Sequence, residues 1–396
     1  MEGWIAKKLK DTCDVNPANS ELPERFVYID LESVEAGELK ARKITNRDEA
    51  PSRAQRLLRS GDVIFQIVRP YQRNNLHFKA NESIDYVAST GYAQLRAKDS
   101  ADFLFQAVHV DDFVDRVIAK CTGSSYPAIN SSDLADVSLA IPGPEEQQKI
   151  ANCLSSMDDL IAAQARKLDA LKTHKKGLMQ QLFPREGETV PRLRFPEFQN
   201  AGEWERKTLK DIAEVSSGST PLRSNPEFFT EGSIPWVKTT DLNNSFIIET
   251  EEKITPKARA RINPAGSVLV AMYGGFNQIG RTGCLSVSAA TNQAISVLVV
   301  DRKVALFVYV LAWMNAKVED WKRIASSSRK DPNITGSDVA KFPITFPETQ
   351  EQKRIADCLT SLDDLIAAQT QKLQILKTHK KGLMQQLFPS PEEVSA

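Results

Sequence analysis

The stretch SSMDDLIAAQARKLDALKTHKKGLMQQLFP at 155–184 returns at 360–389 as TSLDDLIAAQTQKLQILKTHKKGLMQQLFP, displaced by 205 residues. The likeness extends back to Ile141 and Phe346, so that 31 of 44 aligned positions are identical. A repeat of this length fixes organisation more firmly than composition does. Fainter echoes precede it: Trp4–Val15 (WIAKKLKDTCDV) against Trp204–Val215 (WERKTLKDIAEV), and YPAINSSDLADV from Tyr126 against DPNITGSDVAKF from Asp331. Between the echoes the halves diverge, with RPYQRNNLHFK (69–79) standing beside MYGGFNQIGRT (272–282). The chain reads as two copies of one frame with different filling.

The repeated segment carries a heptad pattern. Leu154, Ile161, Leu168, Lys175 and Leu182 fall seven apart, and Met157, Gln164, Leu171 and Leu178 interleave three residues later, an a/d seam. The copy repeats it at Leu359, Ile366, Leu373, Lys380 and Leu387, with Leu362, Gln369, Leu376 and Leu383. Pro144 followed by Glu145 and Glu146 suits a helix start, and Phe183-Pro184 and Phe388-Pro389 suit a stop. About 36 residues at 1.5 Å each predict a rod of roughly 55 Å. The two copies are expected to bury their seams against each other, running antiparallel. Gln164 and Gln369 either set register or lie at a partly exposed seam edge. Lys175 and Lys380 are expected to snorkel out with free heads. Gly177 and Gly382 suggest a bend or a close contact, and Cys153 and Cys358 suggest small apolar filler.

This gives a mixed α/β (α+β) architecture with an internal pseudo-two-fold repeat: globular domains at 1–140 and 185–345, repeated helices at 141–184 and 346–389 forming a long antiparallel two-helix coiled-coil spacer, and a tail at 390–396. In the globular regions DVIFQIV (62–68), SVLVAMY (267–273) and AISVLVV (294–300) read as strands, and 103–120 and 304–324 as helical. The segment 185–198 (REGETVPRLRFPEF) reads as a Pro-rich polar linker.

Candidate binding residues are polar loops at matching places. From Lys40 to Lys79 ten Lys and Arg face three acidic residues, a net of +7. Arg53, Arg56 and Arg59 recur every three residues, as on one helix face, which is a binding face or an ordinary solvated one. After strand 62–68 come Arg69, Tyr71, Arg73, Asn74, Asn75, His77 and Lys79, mixing phosphate-binding cations with amides able to read bases, since Arg forks onto guanine and Asn or Gln onto adenine. Thr90 and Tyr92 in the first half align with Thr291-Asn292-Gln293 in the second. The second half offers Ser219, Thr220 and Arg223, then Lys238 and Thr239. It adds Tyr273, Asn277, Gln278 and Arg281, the pair Asn292 and Gln293, and a basic loop with Ser328, Arg329 and Lys330.

The 396 residues are balanced at 51 basic and 51 acidic, with 41% hydrophobic content, which excludes disordered and collagen-like classes. The longest apolar run, Val304–Met314, is eleven residues, short of the roughly 20 a spanning helix needs. With no secretory pattern at the start, a cytoplasmic location is expected. The five cysteines contain no CxxC pair, so neither a disulfide framework nor a zinc site is indicated. No GxxxxGK[ST] phosphate loop occurs, nor an Asn-Pro-Pro-aromatic methyltransferase tetrapeptide. Glu251-Glu252-Lys253 fits half of a nuclease metal site, but such triplets arise often by chance and no upstream Pro-Asp accompanies it. No catalytic residue is expected.

Two variable regions, each followed by a near-identical helix opened by EEQQKIANCL (145–154) or QEQKRIADCL (350–359) and closed by KKGLMQQLFP, resemble the specificity (S) subunit of type I restriction-modification enzymes. PRLRFPEF (191–198) followed by EWERKTLKDIAEVSSGSTP (203–221) is similar to the opening of that family's second recognition domain. The resemblance spans Trp4 to Pro389. It implies that each variable region reads one half of a bipartite DNA site and that the helices set the spacing. It implies further that the helices dock methyltransferase subunits, which bind S-adenosylmethionine, and that a restriction (translocase and nuclease) subunit using ATP and Mg joins them. No cofactor of its own and no membrane are implied. The first half departs from the pattern: Asn16–Ser20 stands where the second has Ser217-Gly218-Ser219-Thr220-Pro221. The competing reading is a coiled-coil adaptor that joins proteins without touching DNA.

Overall fold

The computed structural model describes residues 3–19, 21–35, 37–79, 84–326 and 333–395. By its contacts the chain divides into two units, one made of 1–166 and 371–396, the other of 167–370. The repeated segments are single helices, Pro144–Leu182 and Thr349–Leu387, each of 39 residues. Each unit holds the start of one and the end of the other. No helix among the described residues is long and apolar enough to cross a membrane.

In the first unit, strand Ile5–Lys8 pairs antiparallel with Ser138–Ile141, which leads directly into the first repeated helix. Cys13–Val15 adds to Tyr92–Ala97, then Val63–Gln66 and Leu76–His77, a four-stranded sheet. A second four-stranded sheet runs Lys43–Asn46, Arg25–Ile29, Asp85–Ser89, Ala54–Leu57. Val63–Gln66 is covered on both faces, which is why its sequence is a continuous apolar run and not an alternation. Its core is closed by the helices: Ile150 and Leu154 from one and Phe388 from the other are buried among Val63, Phe65, Leu95 and Phe103. The Trp4 and Phe388 rings meet edge to face at 6.3 Å.

The second unit repeats this frame. Glu205–Thr208 pairs with Pro343–Phe346, which feeds the second repeated helix. Leu182 and Phe183 enter a core with Trp204, Tyr309, Trp313, Ile355 and Leu359, just as Phe388 does in the first unit. The filling differs: a five-stranded sheet in the order Ala213–Ser217, Ile295–Val300, Val268–Ala271, Thr282–Leu285, Phe246–Ile247, and a three-stranded one of Glu252–Ile254, Ile234–Val237 and Ala290–Thr291.

Both long helical readings are interrupted. The first is two helices, Ala101–Ala107 and Asp111–Ala119, because Val110 is extended and Asp111-Asp112 start a new first turn. The second splits at Lys317 into Phe307–Ala316 and Val318–Ser326. Arg53, Arg56 and Arg59 do not share a helix face. Ala54–Leu57 is a strand paired with Asp85–Ser89, so a long-range ladder overrides the three-residue spacing.

Along the helices the seam positions are buried or half-buried. Leu154, Gln164, Leu168 and Leu359 are buried, and Met157, Ile161, Leu171, Leu362, Ile366, Gln369, Leu373 and Leu376 are half-buried. The lysine heads are not free, which corrects the expectation for them. Within the first unit Lys380 Nζ donates to both Asp158 oxygens at 2.7 and 2.8 Å, and within the second Lys175 pairs with Asp363. An aspartate at a matching position of the opposing helix segment captures each head. Cys153 is exposed and so is not apolar filler. Nor is there a close contact at Gly177 or Gly382, since a Cβ at either would meet nothing within 4 Å. Replacing each glycine by Ala is therefore expected to raise unfolding free energy by about 1 kcal/mol per site, read as a rise in the urea midpoint.

The Pro-rich segment 185–198 is fastened in place. Arg194 forms a bidentate pair with Glu351, Nε to Oε1 and Nη2 to Oε2 both at 2.7 Å, with side chains 9% and 2% exposed. Its Nη1 also donates to the Ala201 and Gly202 carbonyls at 2.7 and 3.0 Å. The repeat equivalent Glu146 instead accepts the Trp4 indole N–H at 3.0 Å.

Candidate nucleic-acid interface

In the second unit four loops are drawn together by main-chain bonds. The Ser219 N–H donates to Thr291 O at 2.9 Å, the Asn292 N–H to Val237 O at 2.9 Å, and the Met272 N–H to Ala294 O at 2.8 Å. The Trp236 indole donates to Ser219 O at 3.2 Å, and the Thr220 hydroxyl bonds the Gln293 side chain. Gly218 allows the crossing, since a Cβ there would land on the Thr291 backbone. Gly274 and Gly275, at φ +116° and +85°, turn the loop that carries Tyr273 and Asn277 outward. The surface so made exposes Ser219, Thr220, Arg223, Tyr273, Asn277 and Gln293, with Arg281 and Thr239 half-buried beside it. Gln278 Oε1 and Thr291 Oγ1 are shielded and have no hydrogen-bond partner among the described residues.

Its cations are held by a small network. The Arg223 guanidinium lies 4.9 and 4.8 Å from the Phe229 and Trp236 ring centroids and pairs with Glu252. Lys238 Nζ reaches Glu251 at 2.6 Å and Glu252 at 2.7 Å, and those bonds raise its pKa. The Glu252 carboxyl is held below its ordinary range by Arg223 first and Lys238 second. Glu251 and Glu252 are thus ion-pair partners of Lys238 and Arg223, which accounts for the acidic pair of the nuclease-like triplet. Asn292 is largely committed to its own turn, its Oδ1 accepting the Ala294 N–H at 3.2 Å. Ser328, Arg329 and Lys330 lie outside the described residues.

The first unit assembles comparable loops. The Thr90 N–H donates to Arg53 O at 2.8 Å, the Ile67 N–H to Gly91 O at 3.0 Å, and Asn19 Nδ2 bonds the Gln55 carbonyl. Asn16, at φ +51°, spans from Ser131 Oγ at 2.7 Å to the Gln94 N–H at 2.9 Å, so this departure from the second half's loop is a fastening. Arg53, Tyr71 and Lys79 are exposed, and Arg69, Asn74 and Thr90 half-buried. Arg56 is also half-buried, and desolvation lowers its pKa.

Several candidates are buried or already bonded within the unit. Asn75 is 1% exposed: its Oδ1 accepts the Gln66 N–H at 2.8 Å and its Nδ2 donates to His109 Nε2 at 3.2 Å. Tyr92 is fully buried, its hydroxyl donating to Asp30 O at 3.3 Å. Arg73 bonds Asp111 at 2.6 Å and His109 O at 3.1 Å, and His77 and Lys79 share Asp102. Burial lowers the His77 pKa. Of the ten cations behind the +7 count, Lys40, Lys43, Arg47, Arg73 and Lys79 pair with carboxylates outside that window, so the local field is weaker than the count implied.

His109 ties this region together. Desolvation first, with Lys380 and Arg73 nearby against the opposing pull of Phe105 O and Asp158, pushes its pKa down to about 4. The ring is therefore neutral, its Nδ1–H donating to Phe105 O at 2.6 Å and its Nε2 free to accept from Asn75. An unfolded histidine takes its proton near pH 6.5, so the unfolded chain binds more protons between about pH 6.5 and 4. The stability it contributes is present above pH 6.5 and is lost as pH falls across that window. One edge of the ring lines an open cleft, so we expect about 1–3 kcal/mol. Urea midpoints against pH for the wild type and His109→Gln check this, with the variant losing less between pH 6.5 and 4.

The family described as "Type I restriction modification DNA specificity domain" matches residues 1–173 and 201–378. The chain belongs to this family. Among curated relatives of this type I specificity subunit, the HindI specificity subunit of Haemophilus influenzae is 22% identical over 378 residues, covering 78% of this chain and 81% of the relative. The MjaIX specificity subunit of Methanocaldococcus jannaschii is 32% identical over 183 residues, 44% of this chain and 41% of the relative. A chain solved in a study of complex assembly and conformational transition of the type I R-M system is 21% identical with a TM-score of 0.61, covering 99% of both chains, which bears on the fold. The adaptor reading finds no support in these matches.

Sequence reasoning missed the aromatic partners of the specificity subunit's candidate loops: Tyr126 beside Arg69, and Phe229 and Trp236 beside Arg223. Tyr126 had a signal, since the repeat aligns it with Asp331, next to the basic serine loop.

Proposed function

We propose that this specificity subunit is the non-catalytic DNA reader of a type I restriction-modification complex. Each globular region reads one half of a bipartite, gapped site. The repeated helices form the coiled-coil spacer that sets the gap, and they dock the methyltransferase subunits. S-adenosylmethionine then belongs to those subunits, ATP and Mg to the restriction subunit, and the complex works on double-stranded DNA in the cytoplasm. The observation that carries this reading is the pair of loop clusters, exposing amide, hydroxyl, guanidinium and aromatic groups, at matching places of a duplicated frame.

In this reading the exposed Lys and Arg position each region on phosphates while a few Arg, Asn and Gln side chains specify bases. With equal numbers of acidic and basic residues, the lone chain is expected to bind DNA modestly and the partners to complete the clamp. The test is DNA association by the subunit reconstituted with its methyltransferase partners, titrated with salt. A steep loss of affinity with salt supports the reading, and association with partners but none with DNA at low salt would return the adaptor.

A further inference from the structure

We infer that Arg69, held against Tyr126, is the side chain that specifies a guanine in the half-site read by the first region. This rests on the DNA-reader function proposed above. Arg69 follows strand Val63–Gln66 in a left-handed conformation, φ +55° and ψ +56°, which a non-glycine residue adopts only when its surroundings hold it there. Two contacts do so: its N–H donates to Pro127 O at 2.7 Å, and its guanidinium carbon sits 4.2 Å from the centre of the Tyr126 ring. Tyr126 is 65% exposed and Tyr71, two residues beyond Arg69, is 51% exposed. An arginine lying on an aromatic face keeps its in-plane donors directed past the ring edge.

Arg69 is also a half-buried cation without a carboxylate partner among the described residues, and its Nε is shielded and unbonded. Arg73, four residues on, shows the alternative, with its fork closed on Asp111 and His109 O. With no carboxylate closing it among the described residues, the outer edge of this fork is open to an acceptor from outside the chain. Guanine O6 and N7 and a phosphate both offer paired acceptors. A fork held in one plane matches the two coplanar acceptors of a guanine edge, and the uniform loss expected of a phosphate contact separates the two in the test below. Tyr126 is then a positioning residue.

The test is single-molecule mapping of methylated bases in cells carrying the whole system with wild-type subunit, Arg69→Ala, Arg69→Lys, Tyr126→Ala or Tyr126→Phe. We expect both Arg69 variants to lose discrimination at one guanine of one half-site by roughly 10-fold or more, with the other half-site unchanged. Tyr126→Ala relaxes the same position, and Tyr126→Phe, which keeps the ring, restores it. The intact half-site reports folding. Uniformly weaker methylation with an unchanged motif would make Arg69 a phosphate contact, and an unchanged motif and level would remove it from the interface; either overturns the inference. A wild-type system that methylates no gapped motif would instead overturn the underlying function.

Discussion

Arg194→Ala is expected to lower the unfolding free energy of the second unit by about 3–5 kcal/mol, the cost of leaving one member of a buried ion pair alone. Glu351 is 2% exposed in the first turn of the second repeated helix, and both its oxygens are taken by Arg194 at 2.7 Å. Without the guanidinium this carboxylate stays desolvated and the Ala201 and Gly202 carbonyls lose their donor. Against a typical total of 5–15 kcal/mol the loss is severe. Arg194→Lys should recover only part of it, because an ammonium cannot fork onto both oxygens. The apolar double substitution Arg194→Met with Glu351→Leu should recover most, since no buried charge remains. Urea unfolding of the four proteins measures this. A loss under 1 kcal/mol for Arg194→Ala would show that the pair is solvated and the segment 185–198 detachable.

Gly218→Ala is expected to act on recognition more than on stability. The added methyl would overlap the Thr291 backbone, so the loop must lift and break the Ser219 N–H to Thr291 O bond and the Thr220 contact with Gln293. Ser219, Thr220 and Gln293 are themselves exposed, although Thr291 and Trp236 beneath them are buried, so the shift falls first on the surface loop. If two base positions lose their readers, the cost is about 2–6 kcal/mol of discrimination. Methylated-base mapping should show one half-site degraded and the other retained. Loss of both half-sites would point to unfolding, and an unchanged motif would place this loop away from DNA.

The repeat, the helices and the duplicated frame were legible because their signals are local: identity at a fixed offset and a seven-residue period that survives whatever surrounds it. The partners of individual side chains were not. Lys175 and Lys380 looked free until Asp363 and Asp158, far along the chain, were brought to them. Arg53, Arg56 and Arg59 carried a helical spacing, but Ala54–Leu57 gains more by laddering with Asp85–Ser89. Asn75 and Tyr92 have the chemistry of contact residues, but the structure buries them with Gln66, His109 and Asp30 as partners. Composition can nominate a polar loop; which of its members face outward depends on long-range packing.

In the proposed function the two regions read two halves of one gapped DNA site. Mapping methylated bases across the source genome with this gene present and deleted decides it. Deletion is expected to remove methylation from one bipartite motif, two short specified blocks separated by unspecified bases, and reintroduction of the gene to restore it. Expression of the whole system with methylation confined to an ungapped motif, or unaffected by the gene, would contradict it.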